Sequence, residues 1–342
     1  MAPLDTKEGP ARSPIALPTD WVSLPSSSLW GRLRGWIRLL LKRSLPPPAY
    51  RFARSRHHEL RRAVRRCPGY GRLLPDYLII GVAKGGTTTL CAWLNEHPFV
   101  APAAVKEVHY FDYQFSRGED WYRSRFPSKR ERATFATEHG RPFLTGEASP
   151  SYISHMWAPT RIAQTLPDVK LIVALRNPVD RAYSHFEMSR RAGEEPLDSF
   201  HQAIVVEDER LQPELARVAV DPSYYSGRLG GWSYLLRGRY AEQLEHWFEL
   251  FPREQFHFMK TEDLALKPAE ALAGVHRFLG LPHHEPSAYP RFHVGQYAPM
   301  SADTRAMLVE YFQPHNERLY ELVGIDFGWD AETGQSSGLL VR

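Results

Sequence analysis

The sequence predicts an α/β fold, a central parallel β-sheet flanked by helices, and three observations carry that expectation. The stretch YLIIGVA, starting at Tyr77, is a short continuous apolar run of the kind that fills a strand buried on both faces, and TTTLCAWLNEHP after it reads as a helix. VKLIVALRNPVDRAYSHF, residues 169–186, repeats the arrangement with an apolar strand and then a helix opened by Pro178. In the C-terminal half an amphipathic helix, the strand QFHFMK and a further helix follow in the same order. Alternation of this kind favours parallel strands.

The elements are embedded in 342 residues, 43% hydrophobic and 24% charged, a balance that sustains a sizeable core and excludes wholesale disorder. One large domain is expected over 76–330, after a basic extension at 1–75 and before a short tail at 331–342. The two cysteines, Cys67 and Cys91, have no CxxC spacing and no companion histidine cluster, which argues against a disulfide framework or a structural zinc site. The neighbouring pairs His57/His58 and His283/His284 read as solvated loop residues.

Formal net charge is +4, and it is unevenly spread. Up to Pro75 there are fifteen Lys and Arg against Asp5, Glu8, Asp20 and Glu59, a balance of +11, which leaves −7 for the remainder. Residues 1–28 are rich in Pro and Ser and show no sustained periodicity. In LWGRLRGWIRLLLKR, residues 29–43, Leu29, Trp30, Leu33, Trp36, Ile37, Leu40 and Leu41 recur at helical spacing while Arg34, Arg38 and Lys42 take another face. Such a helix is too short and too charged to span a bilayer. It can rest on an anionic membrane surface, pack on the domain, or act as a targeting segment. LPPPAY ends it. The Arg-rich RFARSRHHELRRAVRRCPGY reads as a second basic helix, with a solvated or membrane-facing use rather than nucleic-acid binding.

The turn between the first strand and its helix contains Lys84, Gly85, Gly86, Thr87, Thr88 and Thr89. Strand, Gly-rich turn and helix bring backbone N–H groups and a helix N-terminus to one point, which suits a phosphate ester. Gly81 and Gly86 have the separation of a GxxxxGK[ST] loop, but Thr87 stands where that loop has lysine, and the lysine lies at position 84. A magnesium-dependent kinase or ATPase is therefore disfavoured.

KGGTTTL resembles the 5'-phosphosulfate loop of the sulfotransferases that use 3'-phosphoadenosine 5'-phosphosulfate (PAPS), and three later stretches extend the likeness. Arg176 at a strand end and Ser184 eight residues on match the family's 3'-phosphate pair. VKEVHYFD, residues 105–112, resembles the Lys-Glu-x-His-aromatic-Phe stretch of the heparan-sulfate 3-O-sulfotransferases. The resemblance implies a P-loop-NTPase-like sulfotransferase fold over about 76–330, with Glu107 as general base, His109 beside it and Lys106 as a substrate or cofactor contact. FLTGEASPSYI supplies Glu147 and Tyr152 to line the acceptor cleft, with support from behind as the other role open to Glu147. In MSADTRAMLVEYFQPHNERLYELVGIDFGWD, Met307, Leu308, Tyr311 and Phe312 face inward by spacing, and Pro314 should kink or interrupt the helix. Where the animal heparan-sulfate enzymes have a disulfide and a basic Lys-Gly-Arg-type loop, this chain has HHEPSAYPRFHVGQYAPM with Arg291 alone. Phe292 and Trp232 are the candidates to lie against adenine.

The implied activity is transfer of a sulfuryl group from PAPS to a hydroxyl or amine of a carbohydrate, a glycolipid or a related acceptor, leaving 3'-phosphoadenosine 5'-phosphate (PAP), with Lys84 stabilising the leaving phosphate and no metal required. The alternatives are a small-molecule kinase using Mg-ATP and a non-catalytic adaptor on a membrane surface. High Arg, Pro and Ala and the lack of a cysteine framework favour a bacterial cytoplasmic enzyme, peripheral on the inner membrane, with no transmembrane segment.

Overall fold

A computed structural model of the chain describes residues 69, 71–292, 295 and 297–329. The helix expected at 29–43, the Arg-rich helix after it and the tail from 331 lie outside the described residues. Five strands, β1 (Tyr77–Gly81), β2 (Val100–Pro102), β3 (Leu144–Ala148), β4 (Lys170–Leu175) and β5 (Phe256–Lys260), form one sheet. Its order is β2-β3-β1-β4-β5, and every neighbouring pair is parallel. Around it lie α1 (Thr87–Leu94), α2 (Glu119–Arg123), α3 (Lys129–His139), α4 (Ala158–Thr165), α5 (Pro178–Ala192), α6 (Phe200–Val205), α7 (Glu207–Val220), α8 (Gly227–Trp232), α9 (Tyr240–Phe248), α10 (Asp263–Leu266), α11 (Pro268–Leu279) and α12 (Ala302–Val323). The α/β class read from the sequence is the class observed.

Alternation along the strands sends side chains to two cores. Leu78, Ile80, Leu171, Val173 and Phe256 pack with Ile162, Leu244, Trp247, Leu319 and Val323 from α4, α9 and α12 on one face. Tyr77, Ile79, Ile172 and Ala174 pack with Leu90 and Trp93 of α1 and with Leu272 and Val275 of α11 on the other. Both faces are covered, which is why β1 is buried along its whole length. Strand order reverses direction at β1, since β3 lies on one side of it and β4 on the other. Ligands of open parallel sheets bind beyond the carboxyl ends of the strands at such a point.

Two expectations for α12 are corrected, an interruption at Pro314 and an inward Met307. The helix runs unbroken from Ala302 to Val323 with Pro314 inside it. Pro314 is exposed, so the carbonyl that loses its donor faces water, while Leu308, Phe312 and Leu319 anchor the helix in the cores on either side. Met307 is 36% exposed, and the buried row is Thr304, Leu308, Phe312, Asn316, Leu319 and Val323. Strand β2 escaped the sequence reading because three residues ending in proline carry almost no periodic signal. Among the described residues no helix is long and apolar enough to cross a membrane.

Candidate active site

Beyond Gly81 the chain turns through Lys84, whose φ is +72°, and Gly86, whose φ is also +72°, before α1 begins at Thr87. The turn is locked against its neighbours. Val82 N–H donates to Ala174 O at 2.9 Å, and the Thr261 hydroxyl, from the end of β5, donates to Gly85 O at 2.9 Å. A Cβ on Gly85 would stand 2.6 Å from Ala174 O, so only glycine fits there. Gly86 offers no side-chain cap, and the first N–H groups of α1 are left pointing out of the helix end. The Gly85 N–H donates to Val82 O at 2.8 Å, so the open donors begin at Gly86. Thr89 is buried and its hydroxyl accepts from Phe292 N–H at 3.1 Å.

Lys84 Nζ rests 3.7 Å from Met188 Sδ on α5. Burial, with Arg176, Arg191 and Arg181 nearby, lowers its amine to about 8. Arg176, just past β4, donates to Lys84 O at 3.2 Å, and its Nε is buried without a partner. Tyr240 holds the Arg176 carbonyl at 2.9 Å, and the Glu262 carboxylate accepts from Asn177 N–H at 3.0 Å. Asn177 caps α5, accepting from Val179 N–H at 3.0 Å. Ser184 lies two turns into that helix and is buried. A lysine among arginines, an orphaned guanidinium nitrogen and an open helix end fit an anionic group with more than one phosphate-like centre.

On the other side of β1, residues 107–110 form a tightly held loop. Glu107 N–H donates to Ala148 O at 3.0 Å, Val108 N–H to the Glu147 carboxylate at 3.3 Å, His109 N–H to Ser149 Oγ at 3.1 Å and Tyr110 N–H to the Tyr152 hydroxyl at 2.9 Å. Four successive amides are thus fixed by the end of β3 and the turn after it. Glu107 and His109 have φ of +60° and +54°, which these anchors hold in place. Among the described residues three non-glycine residues have positive φ, and they are Lys84, Glu107 and His109. Backbone outliers of this kind gather where function fixes a side chain.

Glu147 and Tyr152 do not line a cleft, which corrects the role the sequence suggests for both and leaves Glu147 its other one. They are 2% and 0% exposed, and Glu147 accepts from Tyr122 at 3.0 Å, Tyr152 at 2.8 Å and Ser149 at 2.7 Å. Burial raises the Glu147 carboxyl above its usual range despite those donors. The pair holds the loop from beneath.

Glu107 is the exposed carboxylate of the set, with 41% of its side chain accessible. Its Oε1 is paired with Lys106 Nζ, and its Oε2 lies 3.5 Å from His109 Nε2. Burial opposes its charge, but His109 and Lys106 outweigh it and hold the carboxyl down at about 2. Burial likewise opposes charge on His109, yet Asp112, 2.8 Å from Nδ1, and Glu107 raise it to about 10. Asp112 has a fully buried side chain, and Ser151 donates to it at 2.6 Å. At neutral pH His109 is an imidazolium between two carboxylates. Asp112 was missed as a functional residue, although its place three residues after His109 in VKEVHYFD is the available signal. Ser149, Thr261 and Glu262 had no such signal, because only the fold brings them here.

Phe292 is 44% exposed and its backbone reaches Thr89, so the segment lies by the turn. Trp232 is taken up elsewhere: its indole donates to Glu194 O at 2.8 Å and its ring is covered by Arg210 at 3.8 Å and Arg228 at 5.3 Å.

Comparison with known proteins places this site in a family. The sulfotransferase domain family matches residues 74–310. The chain is 34% identical to human heparan sulfate glucosamine 3-O-sulfotransferase 6 over 75% of its own length and 74% of that protein's. It is 27% identical to the membrane-associated sulfotransferase kil1 of Dictyostelium discoideum over 77% of this chain and 68% of the relative. A solved sulfotransferase from Alicyclobacillus acidocaldarius superposes with a TM-score of 0.57 at 27% identity, covering 75% of this chain and 99% of that one. The turn at Lys84, the loop at Glu107 and the parallel sheet that carries both therefore belong to a member of the sulfotransferase domain family, and the chain is a sulfotransferase.

Proposed function

We propose that the chain transfers the sulfuryl group of PAPS to a hydroxyl of a carbohydrate or lipid-linked carbohydrate, with Glu107 as general base and Lys84 as the cation on the leaving phosphate. The observation that carries this reading is the coincidence of the three positive-φ side chains with the lysine, glutamate and histidine that the chemistry needs. The named substrate of the heparan-sulfate relative supports a carbohydrate acceptor. An amine acceptor is the second reading, since a Drosophila melanogaster bifunctional heparan sulfate N-deacetylase/N-sulfotransferase is 29% identical over 73% of this chain. The kinase alternative gives way to the family match.

Glu107 takes the acceptor proton as the acceptor oxygen bonds to sulfur, while Lys84 and the N–H groups from Gly86 to Thr88 neutralise the phosphate oxygen that keeps the electrons of the breaking S–O bond. A carboxyl held at about 2 is a weak base. Lys106 is one of the two partners that hold it down, so an acceptor that displaces Lys106 from Glu107 as it binds restores part of the basicity where the proton is to be taken. His109, charged and backed by Asp112, keeps the carboxylate oriented during that exchange. Arg176 and Ser184 take the 3'-phosphate, with Arg176 Nε as the donor that awaits it. The location proposed with this reading is the cytoplasm, with peripheral contact with the inner membrane through residues 29–43; the membrane-associated relative supports that contact.

Calorimetric titration with PAP beside AMP, ADP and Mg-ATP tests the donor site. Micromolar binding that requires the 3'-phosphate and ignores magnesium is expected. Tighter binding of Mg-ATP than of PAP would overturn it.

A further inference from the structure

Two consecutive residues just past β5, Thr261 and Glu262, reach both phosphate-binding segments from inside the protein. They are 7% and 8% exposed, and the Thr261 N–H donates to Leu175 O at 2.7 Å, which ties the pair to the end of β4. The Thr261 hydroxyl holds Gly85 O at 2.9 Å. That carbonyl shares a peptide unit with the Gly86 N–H, the first open donor of the turn, and in a trans peptide the two point in opposite directions. Holding the oxygen inward therefore holds the N–H outward. The turn has little room to rotate, since a Cβ on Gly86 would stand 2.9 Å from Leu264 Cδ1 and 3.3 Å from Thr261 Cγ2.

The peptide unit between Arg176 and Asn177 is gripped at both ends. Its oxygen accepts from the Tyr240 hydroxyl at 2.9 Å, and its N–H donates to Glu262 Oε1 at 3.0 Å. Tyr240 and Glu262 are both buried, so the plane from which the Arg176 side chain departs is held in one orientation. The grip has a cost. Glu262 Oε2 is buried without a partner among the described residues, and burial raises the carboxyl above its usual range. An apolar side chain would fill the space without that cost, but it could not hold the Asn177 N–H.

We propose that Thr261 and Glu262 are positioning residues for the donor nucleotide: Thr261 aims the Gly86 N–H at its 5' end, and Glu262, with Tyr240, aims Arg176 at its 3'-phosphate. This rests on the donor reading above. Because the two residues are consecutive, one strand end sets where both anionic groups are met. Their effects separate by ligand, since PAP carries both phosphates and AMP only the 5' one.

Calorimetric titration of the full chain with PAP and with AMP tests the assignment. Wild type is expected to bind PAP more tightly than AMP. Thr261→Val keeps the volume and removes the hydroxyl; it should weaken both nucleotides alike, by about three- to tenfold, the effect of one hydrogen bond, and Thr261→Ser should restore them. Glu262→Leu should weaken PAP by a similar factor and AMP by less than about twofold, because AMP has no group for Arg176 to meet. Glu262→Gln keeps an acceptor for the Asn177 N–H and should restore PAP. Tyr240→Phe removes only a hydroxyl and should repeat the PAP-selective loss, so it decides the case if Glu262→Leu does not fold. A merely structural role would weaken PAP and AMP together in Glu262→Leu and Tyr240→Phe. That outcome, or a Thr261→Val chain that spares either nucleotide, would overturn the proposal while wild type still prefers PAP. A wild type that binds AMP as tightly as PAP would overturn the donor reading, and the positioning roles with it.

Discussion

At Lys84 the relevant physics is a charge kept among like charges. With its amine lowered to about 8 by burial and by Arg176, Arg191 and Arg181, the residue gains most when an anion arrives. An anion favours the ammonium and so raises the pKa; affinity for PAP should therefore fall as pH rises through about 8, with protons taken up on binding near that pH. Titration in buffers of different ionisation enthalpy measures the uptake, and a pH-independent affinity between 7 and 9 would remove Lys84 from the phosphate site. Lys84→Ala should lower kcat by about a hundred- to a thousandfold, the usual effect of deleting one preorganised electrostatic contact. For Glu107, held at about 2, the free enzyme should show no acid limb in kcat/KM above pH 4. Glu107→Gln should cut kcat by about a hundredfold or more and leave PAP affinity unchanged. Near-normal turnover in that variant, measured by transfer of labelled sulfate, would take the base role from it.

Elements set what those residues can do. Arg176 leaves the end of β4 with Nε buried and unpartnered, at the N-terminus of a capped helix whose second turn carries Ser184. Arg176→Ala should weaken PAP about ten- to a hundredfold and AMP far less, since the lost contact is charge-assisted and specific to the 3'-phosphate. Parallel titrations decide it, and equal losses for both nucleotides would refute the assignment. Beneath the other loop, Tyr152→Phe leaves the Tyr110 N–H buried without an acceptor and takes one donor from Glu147. It should cost about 1–3 kcal/mol in denaturant unfolding and lower kcat more than PAP affinity, because the loop that aims Glu107 loses an anchor. What sequence pattern reveals and hides divides along these lines. Apolar runs made β1, β4 and β5 legible, because burial on both faces demands continuous hydrophobicity. β2 was too short to show a period, and the amide anchors of residues 107–110 were not legible because their partners lie about forty residues away in sequence.

Over the whole molecule the candidate residues Lys84, Glu107, His109, Arg176 and Ser184 were legible as types at spacings, while their pairings were not, and Glu147 was open to two roles where burial leaves one. The charge distribution is a property of the full chain that the fold does not alter. An excess of +11 up to Pro75 precedes −7 in the remainder, so the extension and the domain should respond to an anionic surface in opposite senses. Each Lys or Arg near such a surface contributes roughly 1 kcal/mol, which salt screens away within a Debye length, while on the proposed membrane contact Trp30 and Trp36 would add an apolar share that salt does not screen. The full chain is therefore expected to co-sediment with vesicles containing phosphatidylserine at low salt and not with pure phosphatidylcholine vesicles. Binding should fall steeply by about 0.5 M NaCl. Trp30→Ser with Trp36→Ser should weaken it further at every salt concentration without changing the affinity for PAP. A chain that stays in the supernatant with anionic vesicles would mean that residues 29–43 do not serve as a membrane contact, and that the lipid-linked acceptor loses the support that contact gives it.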